Sequence, residues 1–250
     1  MRRFFCADIP EPGKDARLDP AESRHAVRVL RLRAGDAVVL ADGAGGVAEG
    51  KIGVAPQGGH QSHVMVRVLR RRHFPLPEPG LYLYVSPPRA KIMTGIIRQA
   101  TELGVRGIVP VLCARGVSKP GKIRPRDHWR KEAVAAIKQS GNPYLPELND
   151  WCSFDDALSG CGVAGVYGSH DVGAATLPAR LPAELAVWIG PEGGFTPDET
   201  SSLEQAGMQP VQIGHWTLRV ETAVTALLGW LLGTWACHPP DADGKSVRLS

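Results

Sequence analysis

The sequence contains few cysteines, and they are not arranged in pairs. Its five cysteines are an odd number scattered along 250 residues, and no Cys-x-x-Cys pair occurs. This arrangement argues against a disulfide framework or a zinc knuckle and fits a reducing cytosol. His60 and His63 form a His-x-x-His pair, but no third ligand stands at a useful spacing, so we interpret the pair as part of a surface loop. We therefore expect a cytoplasmic protein without a metal site.

Long apolar runs are also absent. The longest uncharged apolar stretch covers residues 223–237, which is shorter than the roughly 20 residues that a membrane-spanning helix needs. At the start of the chain, Asp8 and Pro10 occur before the apolar region of a signal peptide develops. We expect no membrane segment and interpret residues 223–237 as a buried or interfacial helix.

Acidic residues are scarce in the first half of the chain. Residues 1–72 carry a net charge of +5, residues 73–131 carry +8, and residues 132–250 carry −9. An uneven distribution of this kind indicates a polyanionic partner that binds the basic part of the molecule. The alternative is a basic surface that is only solvated, and charge asymmetry alone leaves both open.

The first part of the chain has the pattern of a small β-rich domain. Alternating stretches predict strands at residues 36–41, 47–54 and 64–69, and the sequence between them contains glycine-rich turns. A helix is predicted over residues 20–32, with Ala26, Val29 and Leu30 on one face.

A break in periodicity separates this part from the rest of the chain. Residues 70–80, rich in arginine and proline, follow no strand or helix period. We assign residues 1–72 to a first domain, 73–79 to a linker, 80–237 to a second domain, and 238–250 to a loose tail.

The second domain alternates strands and helices. Strands are predicted at residues 81–85, 108–112, 163–167, 185–189 and 210–213. Helices are predicted at residues 89–103, 129–140, 197–206 and 220–236. This alternation predicts an α/β fold with a mostly parallel sheet covered on both faces. Ligands of such sheets bind in the loops beyond the carboxyl ends of the strands.

Two glycine-rich segments are candidates for a ligand loop. Residues 42–46 (Asp-Gly-Ala-Gly-Gly) follow a strand but precede a second strand-like segment, which favours a hairpin turn over a Rossmann-type glycine loop. Residues 190–194 (Gly-Pro-Glu-Gly-Gly) lie between a buried strand and a helix start with a good N-cap, Thr196, and with Glu199 at capping-box spacing. Three glycines let the backbone approach a ligand, so we interpret this segment as a ligand loop.

A further segment places charged residues at the start of an apolar helix. Arg219, Glu221 and Thr222 stand at the beginning of the helix predicted from residue 220. Such groups either cap the helix, where Glu is favoured by the helix dipole, or face a site. Periodicity leaves both readings open.

Taken together, residues 189–194 and 218–223 resemble the RsmE family of the SPOUT superfamily. Members of that family use S-adenosylmethionine to methylate N3 of one uridine in the 16S ribosomal RNA of the small subunit. Residues 28–32, 91–105 and 115–117 resemble further segments of the family, and the resemblance extends over residues 24–226.

The resemblance implies a PUA-like, RNA-binding β-barrel over residues 1–72 and a SPOUT-type α/β domain with a C-terminal trefoil knot over residues 80–237. It also implies a homodimer, S-adenosylmethionine as the cofactor and 16S ribosomal RNA as the partner. The cofactor would lie in the loops around residues 167–170, 189–194 and 213–219. The cofactor-binding residues assigned on this basis are Tyr167, Gly168, Ile189, Gly190, Pro191, Glu192, Gly193, Gly194, Ile213, Gly214, Leu218 and Arg219.

Catalytic and RNA-binding residues are assigned in the same way. Arg219 and Glu221 are the catalytic candidates, because they can act on the uracil from the start of the last helix. The expected RNA-binding residues are Arg28, Arg31, Arg70, Arg71, Arg72 and Arg115, all in the basic part of the chain.

The sequence departs from the family pattern at three positions. Family members often have Thr where Val220 stands, Glu near Lys138 and Arg near Asn142. These departures concern RNA or dimer contacts and leave the glycine loop intact. Two alternatives stay open: a SPOUT enzyme acting on another RNA, such as a ribose hydroxyl of transfer RNA, and an RNA-binding homologue without catalysis.

Overall fold

The computed structural model describes residues 2–53, 63–118, 126–170 and 181–237. These residues form two compact units. The first comprises residues up to Leu76 together with Arg130–Leu145, and the second comprises Pro77–Trp129 and the residues from Pro146 onward. His60, Val54 and the tail expected over residues 238–250 lie outside the described residues.

The first unit is built on a five-stranded sheet. Its strands are β1 (Arg2–Phe5), β2 (Asp15–Arg17), β3 (Ala37–Ala41), β4 (Gly46–Ile52) and β5 (Met65–His73), in the order β1-β3-β4-β5-β2. The β1–β3 pair is parallel and the other pairs are antiparallel. Apolar side chains from one face form a buried core that includes Phe4, Leu18, Val38, Leu40, Ile52, Val66 and Val68.

The helix of the first unit differs from the sequence prediction. Helix α1 (Pro20–Arg24) begins after Asp19, whose side chain accepts a hydrogen bond from the Glu22 amide at 2.7 Å. The helix continues as a π-helical segment, His25–Val29. A π-helix has more residues per turn than an α-helix, so the periodicity that placed Val29 on one face with Ala26 and Leu30 no longer applies. Ala26 is buried and Leu30 is half-buried, whereas Val29 is 67% exposed, so Val29 does not share their face.

Residues 130–145 belong to the first unit, whereas the sequence analysis assigned them to the second domain. Lys138 donates to the Glu22 carboxylate at 2.5 Å, and Arg3 donates to the Lys138 carbonyl at 3.3 Å. Arg130 lies over the Phe5 ring, 5.9 Å from its centroid. These contacts join residues far apart in sequence, so a change of local pattern could not reveal them.

The second unit contains a parallel sheet, which confirms the predicted α/β class. Its strands are β6 (Gly80–Val85), β7 (Gly107–Leu112), β8 (Glu147–Leu148), β9 (Cys152–Ser153), β10 (Gly165–Gly168), β11 (Glu184–Ile189) and β12 (Met208–Val211). The order is β12-β10-β11-β6-β7-β8, and β9 pairs with β7. Each of these pairings is parallel.

The helices that follow these strands are α2 (Ala90–Glu102), α3 (Arg126–Ser140), α4 (Phe154–Ser159), α5 (Pro197–Gln205) and α6 (Val220–Cys237). Helices α2 and α6 pack together, and Thr225 donates to the Gln99 side chain at 3.1 Å. Leu227, Leu228 and Leu231 of α6 are fully buried. None of the helices in the described residues is long and apolar enough to cross a membrane.

Strand β10 packs closely against its two neighbouring strands. This strand lies between β11 and β12, with Tyr167 opposite both Trp188 and Pro210. A Cβ on Gly165 would lie 2.5 Å from the Ala186 carbonyl oxygen, so no larger residue fits there. Because the strands are parallel, the carboxyl ends of β6, β10, β11 and β12 meet at one edge of the sheet.

Candidate active site

A cavity opens at this carboxyl edge. Eight of its lining residues were assigned to the cofactor from the sequence: Gly168, Ile189, Gly190, Pro191, Glu192, Gly194, Ile213 and Leu218. Six more line it that were not among the residues assigned to the cofactor one by one: Ser169, His170, Val211, Thr217, Val220 and Ala223. The structure therefore brings together the loops after β10, β11 and β12, which are far apart in sequence.

The additional lining residues could have been assigned from the sequence, because most of them lie in or next to the segments that were singled out there. Ser169, His170 and Thr217 lie inside the loop segments that the resemblance implied. Val220 and Ala223 are separated by three positions at the start of α6 and therefore share one face of the helix.

Two glycines of the loop after β11 serve different purposes. A Cβ on Gly190 would lie 3.2 Å from the Phe195 ring, so this position is limited by side-chain packing. Gly194 has a φ of +69° and no heavy atom within 4 Å of an added Cβ, so glycine is needed here for its left-handed backbone conformation and not for lack of space. Its amide donates to the Pro191 carbonyl at 2.8 Å and closes the turn.

The helix that follows the loop begins with the expected capping box. Thr196 Oγ1 accepts from the Glu199 amide at 3.2 Å, and Glu199 Oε2 accepts from the Thr196 amide at 2.8 Å. The other carboxylate oxygen of Glu199 accepts from the Ala114 amide at 2.8 Å, which ties the segment after β7 to the start of α5. Burial, together with the negative charge of Glu199, raises the pKa of the Cys113 thiol to about 12.

Arg115 contacts the glycine loop, although the sequence analysis assigned it to RNA. Its guanidinium donates to the Gly193 carbonyl at 2.9 Å and to the Phe195 carbonyl at 3.3 Å. These bonds hold the loop backbone at two carbonyls. Arg115 therefore supports the loop, and its assignment to RNA stays a prediction.

Tyr167 and three other assigned residues lie outside the cavity lining. The Tyr167 side chain is 2% exposed, and its hydroxyl donates to Glu204 at 2.8 Å. Burial, with a further contribution from Glu204, raises the pKa of this phenol. The assignment of Tyr167 to the cofactor is therefore corrected to a core position. Gly193, Gly214 and Arg219 also lie outside the lining, and Gly214 has a φ of +74° in the turn after β12.

Arg219 and Glu221 stand at the start of α6, next to the cavity. The Arg219 carbonyl accepts from the Ala223 amide at 2.8 Å, and the Glu221 carbonyl accepts from the Thr225 hydroxyl at 2.9 Å. Arg219 is exposed and lies between Leu218 and Val220, which both line the cavity.

The arginines of the first unit are divided between two faces of the sheet. A register shift between Glu49 and Gly50 places Arg70 and Arg72 opposite Glu49 and Val47, whereas Arg71 is opposite the buried Ala48. Arg71 also forms an ion pair with Glu11 at 2.8 Å.

Two more assigned arginines are exposed in the same unit. Arg28 lies on the π-helical segment, and Arg31 follows it with a φ of 52°. Both side chains are accessible to solvent.

The three departures from the family pattern have identifiable contacts. Lys138 pairs with Glu22, and the Asn142 side chain accepts from the Tyr144 amide at 3.0 Å, both within the first unit. Val220 is buried and lines the cavity with an apolar surface. Within the described part of the chain, no group of three or more His, Cys, Asp or Glu side chains could hold a metal ion.

Sequence models of two families match the chain. The RNA methyltransferase domain matches residues 76–232, and the RNA methyltransferase PUA domain matches residues 18–59. The parallel sheet with its glycine loop is thus the catalytic domain of an RNA methyltransferase, and it follows a PUA-like β domain.

Relatives narrow this class to one family. Ribosomal RNA small subunit methyltransferase E of Synechocystis is 31% identical over 84% of this chain and 70% of the relative. The enzyme of the same name from Mycobacterium bovis is 29% identical over 96% and 95% of the two chains. The crystal structure of the Neisseria gonorrhoeae enzyme bound to S-adenosyl methionine has a TM-score of 0.83 and 26% identity over 94% of this chain and 98% of that one. The chain belongs to the ribosomal RNA small subunit methyltransferase E (RsmE) family, which confirms the resemblance found in the sequence.

Proposed function

We propose that this protein transfers a methyl group from S-adenosylmethionine to N3 of a uridine in 16S ribosomal RNA. The observation that carries the proposal is the cavity at the carboxyl edge of the sheet, where the loop Gly190–Gly194 meets the segment before α6. Relatives named for methylation of small-subunit ribosomal RNA support the substrate class, and the N. gonorrhoeae structure with S-adenosyl methionine supports the cofactor.

The lining of the cavity suits S-adenosylmethionine. Ile189, Ile213 and Leu218 provide an apolar surface for the adenine ring. Ser169 and Thr217 supply hydroxyls for its polar groups, and the Glu192 carboxylate suits its positive charge. When bound, the cofactor supplies an electrophilic methyl group carried on a sulfonium.

The protein must orient the uracil and stabilise its charge. N3 lies on the pairing edge, so the base must be unpaired or splayed out of its helix. Loss of the N3 proton creates an anion that spreads onto both carbonyl oxygens. We assign Arg219 to stabilising that anion, because it is an exposed cation that stands between two lining residues, Leu218 and Val220. Glu221 orients Arg219 or relays the proton.

The assembly and topology follow from the same proposal. We propose a homodimer in the cytoplasm, in which a second copy covers α6 near the exposed Trp230. We also propose that the segments carrying β10, β11 and β12 form a trefoil knot. In support of this, β10 lies between the two strands that follow it in sequence.

The test is to incubate the protein with isotopically labelled S-adenosylmethionine and undermethylated small-subunit RNA, and to identify the product nucleoside by mass spectrometry. We expect 3-methyluridine. A methylated ribose or a product in transfer RNA would indicate another SPOUT activity. The absence of any product together with retained RNA binding would indicate a non-catalytic homologue.

The role of Arg219 is tested by the variants Arg219→Ala and Arg219→Lys. We expect Arg219→Ala to lower turnover on the order of a hundredfold, the scale of removing one charge-stabilising donor. Arg219→Lys should recover part of that loss, because the charge is kept without the planar fork. Calorimetry with S-adenosylmethionine should show unchanged affinity in both. If affinity falls in parallel with turnover, Arg219 has a structural role and the assignment is wrong.

A further inference from the structure

A second groove lies in the second unit, between the first turns of α2 and the start of α3. Lys91, Thr94 and Arg98 line it from α2, and His128 and Trp129 line it from α3. None of these residues belongs to the cavity described above or to the RNA-binding residues assigned from the sequence.

The connections that precede the two helices place the groove at the same sheet edge as the cavity. Helix α2 follows β6, and the Ser86 amide at the end of β6 donates to the Ile189 carbonyl at 2.9 Å. After β7, the Ser118 hydroxyl donates to the Pro88 carbonyl at 2.9 Å, which joins this segment to the β6–α2 connection. The groove therefore begins beside the strand that carries the glycine loop.

The α2 side of the groove presents a regular row of polar side chains. Positions 91, 94 and 98 are separated by three and four residues, so their side chains share one face of the helix. Lys91 and Arg98 are exposed cations, and the Thr94 hydroxyl between them donates to the Ala90 carbonyl at 3.0 Å. Gly95 has no heavy atom within 4 Å of an added Cβ, which leaves room along this face.

The α3 side completes the groove with a fixed wall. His128 is exposed, and its Nε2 lies 3.3 Å from Thr94 Oγ1, so a hydrogen bond connects the two helices. Trp129 is buried and stacks on Trp151 with ring centroids 6.4 Å apart. The lining contains two cations, a histidine and a hydroxyl, and no carboxylate is among the residues that form it.

We propose that this groove binds phosphates of the ribosomal RNA next to the target uridine. The inference rests on the proposed function and adds to it the path of the RNA backbone on the catalytic domain. Exposed cations beside a histidine, with no carboxylate among the lining residues, match a phosphodiester chain, which offers a charged oxygen group at each nucleotide. A second copy of this protein is a poorer match, because the exposed side chains of the groove are polar and the centre of a protein interface is apolar.

The experiment compares three variants with the unmodified full-length chain: Lys91→Gln, the double variant Lys91→Gln/Arg98→Gln, and the control Lys131→Gln. Lys131 is an exposed lysine on the same helix as His128 but outside the groove lining. Binding to a methylatable 16S RNA fragment is measured at several salt concentrations. The KM for RNA, the turnover and the affinity for S-adenosylmethionine are measured in parallel.

We expect the slope of log affinity against log salt to fall by about 0.7 for Lys91→Gln, one increment per lost phosphate contact to single-stranded RNA, and to fall further for the double variant. The KM for RNA should rise with unchanged cofactor affinity, and Lys131→Gln should retain the original slope. Folding is checked by thermal unfolding, and Lys91→Gln alone remains decisive if the double variant does not fold.

Three results would overturn the proposal. These are an unchanged slope and KM in the folded variants, a slope change of equal size in the control, and a shift in oligomeric state that accounts for the lost activity. Failure of the proposed function gives a different result, because the unmodified chain would then produce no methylated nucleoside at all.

Discussion

Replacing Gly194 by alanine distinguishes two reasons for which a glycine can be needed in the loop after β11. The sequence suggested that glycine allows a close approach of the backbone to a ligand, whereas the structure shows a left-handed residue with φ +69° and open space around an added Cβ. A left-handed conformation costs a residue with a Cβ about 1–2 kcal/mol. Reduced freedom of the unfolded chain offsets about 0.4–1 kcal/mol of this cost. We therefore expect Gly194→Ala to lower the free energy of unfolding by about 1 kcal/mol.

The same strain should weaken cofactor binding if the loop must keep this turn to form the cavity. Gly194 lines the cavity, and its amide closes the turn on Pro191. If the free loop of the variant moves to relieve the strain, binding must restore the strained turn at a cost of about 1 kcal/mol. This cost corresponds to roughly a fivefold higher Kd for S-adenosylmethionine.

Two matched variants separate conformation from steric approach. Gly193→Ala adds a Cβ whose nearest neighbour is Arg115 Cδ at 3.5 Å, an ordinary contact, and Gly193 is not in the left-handed region. We expect this variant to be close to neutral. Gly194→Asn should be milder than Gly194→Ala, because asparagine adopts the left-handed conformation more readily.

The assay is thermal or urea unfolding together with calorimetric titration of S-adenosylmethionine for all three variants. The reasoning is refuted if Gly193→Ala is more damaging than Gly194→Ala, or if asparagine at position 194 is no better than alanine. Either result would mean that a ligand or partner atom approaches the loop, so that space and not backbone conformation sets the requirement.

Two further predictions concern the exposed arginines of β5 and the half-buried thiol of Cys113. The double variant Arg70→Gln/Arg72→Gln should reduce the slope of log RNA affinity against log salt by about 1.4. Arg71→Gln should change this slope less, because Arg71 is paired with Glu11. Equal slopes for the two variants would contradict the distinction between Arg71 and its two neighbours. Cys113, with its pKa raised to about 12, should react with iodoacetamide at pH 8.5 more than about tenfold more slowly in the folded protein than in urea. The unfolded chain ionises this thiol first, so its contribution to stability is complete below pH 9 and is lost as the pH rises towards 12. A Cys113→Ala variant should lack that part of the decline, and an identical pH profile would contradict the assignment.

The periodicity of apolar residues predicted the central strands and helices of both units. It did not predict the places where backbone pairing between strands or a π-helical turn determines the structure. The strand predicted to end at residue 69 continues to His73, because backbone pairing with β4 does not depend on the apolar alternation that the arginines interrupt. Strands β8 and β9 contain two residues each, too few for any period to be detected. The π-helical segment has the composition of an α-helix, so the exposure of Val29 could not be read from its spacing.

The candidate site could be predicted as a set of loops, but not side chain by side chain. Gly168 lines the cavity and Tyr167 does not, although they are consecutive and both belong to the segment singled out by resemblance. Successive residues of a strand point to opposite faces, so one of the two had to face away. Which one does so depends on the packing of Tyr167 against Phe195 and Glu204, residues that come more than 25 positions later in the chain.

Arg115 illustrates the same limit for charged residues. An exposed arginine in a basic segment is compatible with an RNA contact, and its sequence neighbours contain nothing that argues otherwise. Its actual partners, the carbonyls of Gly193 and Phe195, come from a loop about 80 positions away and become visible only when β7 and β11 are placed in one sheet. Lys91 and Arg98 are the converse case. They were given no role from the sequence, because they belong to an amphipathic helix. They form one side of a groove only because α3 places His128 opposite them. Charge along the chain thus predicts that RNA binds the basic half, while the particular cations that can reach its phosphates are decided by which helices the sheet brings together.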